Sequence, residues 1–188
     1  VKVSASVDLH PVTQGRVQEA VTRDRARKKL GVNLPGLARG QGIRNVGAEV
    51  IQETGGVGGA KLCVGLSKIL NAYEIAFVVN TGDDFIHLDF PICPDLDSLM
   101  YALSAENNEE LGWGRKGETW NFLRSFAELG GENWFQLGDR DLAIHVMRKQ
   151  LLREGLTLSE VTSELYQRFG ISHAVIPMTN EQVATKIQ

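Results

Sequence analysis

One short segment, EIAFVVN at positions 74–80, constrains the fold more than any other part of the sequence. It is continuously apolar from Ile75 to Val79 and has the length of a strand. A strand without polar alternation is typical of a parallel sheet that is covered on both faces, whereas a half-exposed antiparallel strand alternates. The segment therefore predicts a buried parallel strand.

The residues before this strand have the pattern strand, glycine turn, helix. AEVI (48–51) is a short strand candidate, and Thr54 to Gly59 form a turn that is rich in glycine. The helix that follows has apolar residues at helical spacing: Leu62, Leu66, Ile69 and Leu70. Together with the buried strand this predicts a βαβ unit.

The same alternation continues toward the end of the sequence. Helices are predicted over 97–106, 117–129, a segment that begins near Gly138 and ends at Gly155, and a segment that Gly170 closes. Strands are predicted at WFQL (134–137) and ISHAVIP (171–177). Strands and helices that alternate at the length of a right-handed crossover predict an α/β fold with a largely parallel, doubly wound sheet.

Local patterns give four more specific expectations for these helices. Asp95 or Asp97 is expected to cap the helix over 97–106, and Glu118 is expected in the first turn of the next helix. Ser159 is expected to cap the last helix. The helix that ends at Gly155 should turn three apolar side chains inward, those of Leu142, Val146 and Leu151.

Length and composition favour one globular domain. The 188 residues are 43% apolar, which is enough for one substantial core. No run approaches the ~18–20 apolar residues of a membrane helix, and the first residues lack the apolar centre of a signal peptide, so we expect a cytoplasmic protein. Cys63 and Cys93 lack metal-site spacing and are expected to be buried, reduced thiols.

Charge divides the sequence into two unlike parts. Residues 1–44 carry nine basic side chains and three acids, which leaves a net charge of −9 on the rest. A short basic helix is predicted over Val12–Leu30, without a core of its own. We expect residues 1–46 to be a basic extension. We do not expect it to bind nucleic acid, because it contains no aromatic residues between its basic ones and no known nucleic-acid-binding motif.

Residues that could carry chemistry follow the predicted strands. In an open parallel sheet, ligands bind beyond the carboxyl ends of the strands, where the glycine turn and the acidic turns would meet. The turn offers backbone amides and a helix N-terminus to a phosphate through Gly55, Gly56, Gly58 and Gly59. It is neither a Walker loop nor a full dinucleotide fingerprint, and a tight turn for packing is the alternative.

Acidic residues suggest a divalent cation. Two successive strand-end loops carry four carboxylates: Asp83, Asp84, Asp95 and Asp97. Mg²⁺ prefers oxygen ligands and bridges carboxylates to phosphates, although helix caps and solvated turns would use the same residues. Asp139 and Arg140 form a third such turn, in which Arg140 is either an anion clamp or a partner of its neighbours. His87 lies close enough in sequence to reach the site, whereas a structural role is expected for His145.

Six motifs, taken in order, are similar to one known family. They are GGVGGAKL, VVNTGDDF-x-HL, CPDLD-x-xMYxL, GWGR-x-x-ETW, WFxLGDRDLA-x-H and IPM. From about Gly55 to Gln188 they resemble the CofD family of 2-phospho-L-lactate transferases of coenzyme F420 biosynthesis. The resemblance implies a CofD-like domain over 47–188 with a Rossmann-like three-layer sandwich.

The resemblance also implies a reaction and a site. A phospholactyl or phosphoenolpyruvyl group moves from a guanosine diphosphate adduct to the deazaflavin Fo, with Mg²⁺ assisting and GMP leaving. By resemblance the glycine turn holds the donor phosphates, Asp83 and Asp84 are catalytic and, with Asp95, hold the metal, and Asp97 matches an acid associated with Fo. Gln136, Asp139 and Arg140 are further substrate-binding candidates. Neither a membrane nor nucleic acid is an expected partner, and a homodimer is left open.

Departures from the family keep alternatives open. Gln136 stands where the family often has Arg or Lys, and Thr179-Asn180-Glu181 replaces the usual Ser-Asp-Asp. The family continues for a comparable length beyond the last residue, so we expect an incomplete sheet with an uncovered edge. The alternatives are an inactive fragment and a non-catalytic nucleotide-sugar-binding regulator of the gluconeogenesis-factor type.

Overall fold

The computed structural model of the protein describes residues 50–183 and residue 185. The basic extension at 1–46 and the helix predicted over Val12–Leu30 lie outside the described residues. Of the strand predicted at AEVI, only the last two residues are described. They begin the first strand.

Three parallel strands form the sheet of the described part: β1 (Val50–Thr54), β2 (Ile75–Val79) and β5 (Ala174–Pro177). Their order is β1-β2-β5, with β2 in the middle. Every residue of β2 is buried, as its apolar sequence predicts. The register pairs Gln52 with Phe77 and Phe77 with Val175, so the three strands end at a common edge.

Five helices and one hairpin complete the described part. The helices are α1 (Gly56–Ser67), α2 (Pro94–Leu103), α3 (Asn121–Glu128), α4 (Asp139–Arg153) and α5 (Leu158–Arg168). The hairpin pairs β3 (Phe85–His87) with β4 (Phe90–Ile92) in antiparallel orientation. This arrangement confirms the α/β class with a mostly parallel sheet, and it is consistent with an incomplete Rossmann-like fold. Among the described helices, none is both long and apolar enough to cross a bilayer.

One apolar core joins a face of the sheet to four helices. Every second residue of β2 points into this core: Ile75, Phe77 and Val79. Each of the four helices contributes buried residues, among them Cys63 of α1, Leu99 of α2, Ile144 of α4 and Val161 of α5. Full burial of one such large apolar side chain stabilises a fold by about 1.5–3 kcal/mol. The core therefore fixes the sheet edge on which the strand-end loops lie.

The prediction of a strand at WFQL (134–137) is wrong. In the described structure residues 131–138 are irregular, and Trp134 is 64% exposed. Its ring and that of Phe135 pack against His87 of β3, at centroid distances of 5.1 and 5.3 Å. The aromatic residues therefore cover a hairpin that the sequence analysis did not predict.

The buried face of α4 also differs from the prediction. Leu151 is buried as expected, but Leu142 is only half-buried and Val146 is 45% exposed. Instead, α4 buries two polar side chains, His145 and Arg148. The spacing of apolar residues predicted the wrong buried face, because α4 faces a buried carboxylate, that of Asp97, which requires a basic partner.

Two predictions about helix starts are wrong as well, the cap of α5 and the place of Glu118 in the first turn of α3. Thr157, not Ser159, caps α5, in a capping box with Glu160. The Ser159 hydroxyl lies inside the helix and donates to Asn180 Oδ1 at 2.7 Å. Glu118 precedes α3, which begins only at Asn121, and it caps α4 instead.

Candidate functional site

The carboxyl ends of β1 and β2 bring two strand-end loops and one helix together. Gly55 and Gly56 follow β1, and Asn80 to Asp84 follow β2. Asp95, in the first turn of α2, reaches the same edge across the sheet. The structure thus brings together the glycine turn and part of the predicted acidic set.

Asp95 bonds to both loops. Its Oδ1 atom accepts from the Gly56 backbone nitrogen at 2.6 Å, and its Oδ2 atom accepts from Asn80 Nδ2 at 2.9 Å. It was expected to cap its own helix, yet α2 begins after Cys93 without a side-chain cap. Asp95 instead satisfies a free amide at the start of α1.

Asn80 is a site residue that the sequence analysis missed. Its Nδ2 atom donates to Asp83 Oδ2 at 3.2 Å as well as to Asp95, and its Oδ1 atom accepts from the Gly82 nitrogen at 3.0 Å. The signal was present, because an asparagine between a buried strand and a glycine turn often bonds the backbone two residues on. Asn80 therefore ties the two loops together.

Asp84, on the same loop as Asp83, is partly buried. Its Oδ1 atom is buried and accepts no hydrogen bond within the described part of the chain. Burial raises the pKa of Asp84 to about 7, and the charges of Asp97 and Asp95 act in the same direction against a hydrogen bond from Cys93. The hairpin explains that bond, because the pairing of Phe85 with Ile92 places Asp84 opposite Cys93.

Oxygen atoms dominate the donor set at this edge. Asp83 is exposed and bonds only to Asn80 among the described side chains, while Asp84 Oδ1 has no partner there. Hard cations such as Mg²⁺ prefer such ligands. A bound cation would also offset the free-energy cost of ionising the partly buried Asp84 carboxyl. Asp83, Asp84 and Asp95 therefore suit a divalent cation in their chemistry, although the described trio whose ligand atoms lie within 4.8 Å of one another is a different one, Asp97, Asp141 and His145.

The glycines of the turn have two different functions. Gly56 has a positive φ of 64°, and a side chain at Gly58 would meet nothing within 4 Å, so this part of the turn is open. At Gly59 an added Cβ would lie 2.2 Å from Thr54 Oγ1. Gly59 is thus a packing residue between α1 and β1, whereas Gly56 and Gly58 border the open edge. At Gly55 an added Cβ would lie 3.0 Å from Asp95 Oδ2, so this glycine makes room for the carboxylate.

Asp97 points away from this edge into the interior. It is 5% exposed, and its carboxylate binds both terminal nitrogens of Arg148, one of them at 3.2 Å. Arg148 is 2% exposed and also donates to the Pro91 carbonyl at 3.1 Å. The contact of Asp97 with Fo stays a prediction, but its carboxylate is already engaged in a buried ion pair.

A second acidic cluster, Asp97, Asp141 and His145, has ligand atoms within 4.8 Å of one another. The Arg148 guanidinium contacts two members of this cluster, since it binds Asp97 and lies 3.1 Å from His145 Nδ1. Tyr101 donates to Asp141. A buried cation that is already present disfavours a metal ion at this position.

Asp139 and Arg140 belong to a different cluster. Asp139 accepts from Thr119 Oγ1 at 2.5 Å and from the backbone nitrogens at the start of α3. These bonds lower its pKa to about 2, with the Thr119 hydroxyl as the largest cause. The Arg140 guanidinium donates to Glu106 at 3.2 Å and to the Lys116 carbonyl at 2.7 Å. Both side chains are engaged within the protein.

Gln136 lies in a third place, an open groove beside α3. The groove has a volume of about 520 Å³, and its remaining lining residues are Trp120, Leu123, Arg124, Ala127, Glu128 and Asn133. Gln136 is exposed, and its side chain donates a long hydrogen bond of 3.4 Å to the Asn133 carbonyl. His87, which was expected near the acidic cluster, is buried and packs edge-on against the rings of Trp134 and Phe135.

Comparison with known proteins gives a family match. The model of the family described as 2-phospho-L-lactate transferase CofD matches residues 50–188. The chain is 41% identical over 139 residues to the phosphoenolpyruvate transferase of Streptomyces coelicolor, covering 73% of this chain and 44% of that protein. It is 41% identical over 142 residues to the protein of the same name from Nocardia farcinica, covering 75% and 43%. The chain thus spans less than half the length of these curated relatives.

Proposed function

Since the chain belongs to the CofD family of 2-phospho-L-lactate transferases, we propose that its site transfers a phosphoenolpyruvyl group. The donor is a guanosine diphosphate adduct, the acceptor is the ribityl hydroxyl of the deazaflavin Fo, and GMP leaves. The names of the relatives favour phosphoenolpyruvate over phospholactate as the transferred group. The product belongs to coenzyme F420 biosynthesis.

One observation carries this proposal, namely the contact between the glycine turn and the acidic loops. Asp95 accepts a hydrogen bond from the Gly56 amide, so a carboxylate and the backbone amide at the start of α1 share one edge of the sheet. Amides at a helix start bind phosphate oxygens, and carboxylates bind the cation that accompanies a diphosphate. Both requirements of phosphoryl-type transfer therefore meet at the carboxyl ends of β1 and β2.

Mg²⁺ is the cofactor that we propose for this edge. Asp83, Asp84 and Asp95 would hold it, and when bound it would neutralise charge on the donor phosphates. The support from this chain is the buried Asp84 Oδ1 atom, which has no hydrogen-bond partner among the described residues, and the pKa of about 7 that burial gives this carboxyl.

The residues of the chain have separate tasks in the transfer. Gly55, Gly56 and Gly58 bind and orient the diphosphate through backbone amides. The hydroxyl oxygen of the acceptor then forms a bond to the phosphorus that carries the transferred group, and the bond from that phosphorus to the GMP oxygen breaks. Asp83, whose carboxylate is exposed, accepts the hydroxyl proton. GMP leaves with the electron pair of the broken bond.

Calorimetric titration of the 188-residue chain with GDP and with Fo, each with and without Mg²⁺, tests the proposal. We expect saturable GDP binding that requires Mg²⁺, and Fo binding beside it. Asp84→Asn should weaken the Mg²⁺-dependent part, whereas Glu109→Gln, at an exposed acid outside the site, should not. A mass-spectrometric assay for phosphoenolpyruvyl-Fo then tests the transfer itself.

Other outcomes of the titration would favour the alternatives. Binding of nucleotide sugars without any binding of Fo would support a non-catalytic regulator. No binding of any of these ligands by a folded chain would contradict the proposal and support an inactive fragment.

A further inference from the structure

Asp95 binds the amide that a phosphate at the start of α1 would need. Its Oδ1 atom lies 2.6 Å from the Gly56 nitrogen, although 39 residues separate the two in sequence. The N-cap of α1 is Gly55, which has no side chain that could accept a hydrogen bond. The carboxylate from α2 therefore takes the position of an anion at this helix start.

Asn80 holds the carboxylate there. Its Nδ2 atom donates to Asp95 Oδ2 at 2.9 Å, and its own backbone nitrogen is bonded to the Thr54 carbonyl at 2.9 Å. Asp95 is 8% exposed, so few water molecules compete for these bonds. The carboxylate is thus attached to the ends of both strands at once.

We propose that Asp95 is a placeholder for a donor phosphate. It binds the Gly56 amide in the absence of the donor and leaves it when the donor binds. The inference rests on the proposed function, which puts the donor diphosphate at this turn. Two anions at hydrogen-bond distance from one N–H group repel each other, so the carboxylate and the phosphate exclude each other.

The consequence is a coupling between cation and nucleotide. Without a cation, Asp95 competes with the phosphate and weakens its binding. When a cation is present, the Asp95 carboxylate can bind it instead, and the Gly56 amide becomes free for the phosphate. Asp95 therefore makes the site select the metal-bound donor over the free nucleotide.

Binding of inorganic pyrophosphate in EDTA tests the competition directly. The matched variants are Asp95→Ala and Asp83→Ala, measured by calorimetry on the 188-residue chain. Each removes one carboxylate that bonds to Asn80, but only Asp95→Ala frees the Gly56 amide. We expect Asp95→Ala to bind pyrophosphate about tenfold more tightly than Asp83→Ala, the ratio that one charge-assisted hydrogen bond supports. Equal affinities of the two variants would overturn the proposal.

Asn80→Ala provides a second test that keeps every carboxylate. It releases one oxygen of Asp95 and should give a pyrophosphate affinity between those of the wild type and Asp95→Ala. In ¹⁵N-labelled protein, the Gly56 amide proton should move upfield in Asp95→Ala and return downfield when pyrophosphate binds. Should Asp95→Ala not fold by circular dichroism, an unchanged affinity of Asn80→Ala would overturn the proposal.

GDP binding to the wild type with Mg²⁺ separates this inference from the proposed function. If the wild type binds Mg²⁺-GDP and the two alanine variants bind pyrophosphate equally, the proposed function is supported and the placeholder role of Asp95 is contradicted. If the wild type does not bind Mg²⁺-GDP but Asp95→Ala binds pyrophosphate more tightly than Asp83→Ala, the placeholder role is supported and the proposed donor is contradicted.

Discussion

Asp139 caps the start of α3, and Glu118 caps the start of α4. Asp139, the first residue of α4, accepts from the backbone nitrogens of Asn121 and Phe122 at 3.1 and 3.0 Å, at the start of α3. Glu118, which precedes α3, accepts from the backbone nitrogen of Arg140 at 2.8 Å, in the first turn of α4. The two helix starts therefore hold each other in place, and the acidic residues of this loop serve the fold.

Asp139→Ala should lower the urea midpoint of unfolding at neutral pH, because the amides at the start of α3 lose their acceptor. The pKa of Asp139 is about 2 in the folded state and near 3.9 when unfolded, so its stabilisation is present above about pH 4 and disappears as the pH falls toward 2. The difference in urea midpoint between the variant and the wild type should therefore decrease as the pH falls from 5 to 3. Glu109→Ala, at an exposed acid, is the control, and a gap independent of pH would contradict the charged cap.

Gly59→Ala should destabilise the fold by about 1–3 kcal/mol, the usual cost of an extra methyl in a packed position. Its Cβ would lie 2.2 Å from Thr54 Oγ1, whereas the same change at Gly58 meets nothing within 4 Å. Gly58→Ala is therefore the matched control, and it should be neutral or slightly stabilising. Adding Thr54→Ala should recover part of the loss at Gly59. Equal free energies of unfolding for the two glycine variants would show that this contact does not matter.

Arg148→Met should cost about 3–5 kcal/mol, because it leaves the Asp97 carboxylate buried without a cation. The double variant with Asp97→Leu should recover most of this loss, since neither charge is then buried. Arg168→Met is the exposed control, because its pair with Glu164, at 2.9 Å, is about half exposed and should contribute less than about 1 kcal/mol. Urea unfolding measures all three, and similar losses for the two single variants would refute a buried pair.

Asp84→Asn should stabilise the protein at pH 8 and leave it nearly unchanged at pH 4.5. Burial raises the pKa of Asp84 to about 7, so the folded state keeps its proton where the unfolded chain has lost it. Stability therefore falls as the pH rises from about 4 to 7, by an amount on the order of a few kcal/mol, and the amide variant avoids that loss. Urea unfolding at both pH values measures the difference, with Glu109→Gln as control. A variant that is less stable at both values would contradict the assignment.

The sequence determined the centre of the sheet and the place of the site. An apolar run such as Ile75–Val79 has few alternatives to a buried strand, and parallel strands end at one edge, so the turn at Gly56 and the loop at Asp83 had to lie at the same edge. Asp95 reaches that edge from α2, after the antiparallel hairpin. These predictions depend on local patterns and on one general rule of topology. They could be made without knowing any contact.

Only the tertiary structure decided which way each polar side chain points. Asp95 and Asp97 are two residues apart in one helix, yet one meets the glycine turn and the other meets Arg148, 51 residues further along the chain. No local pattern identifies that partner, because the pair forms only when α4 packs against α2 and the low-polarity interior forces each buried charge to find its opposite. For the same reason, the spacing of apolar residues predicted the wrong buried face of α4. WFQL has a strand-like sequence but does not form a strand, because Trp134 and Phe135 pack against the hairpin instead.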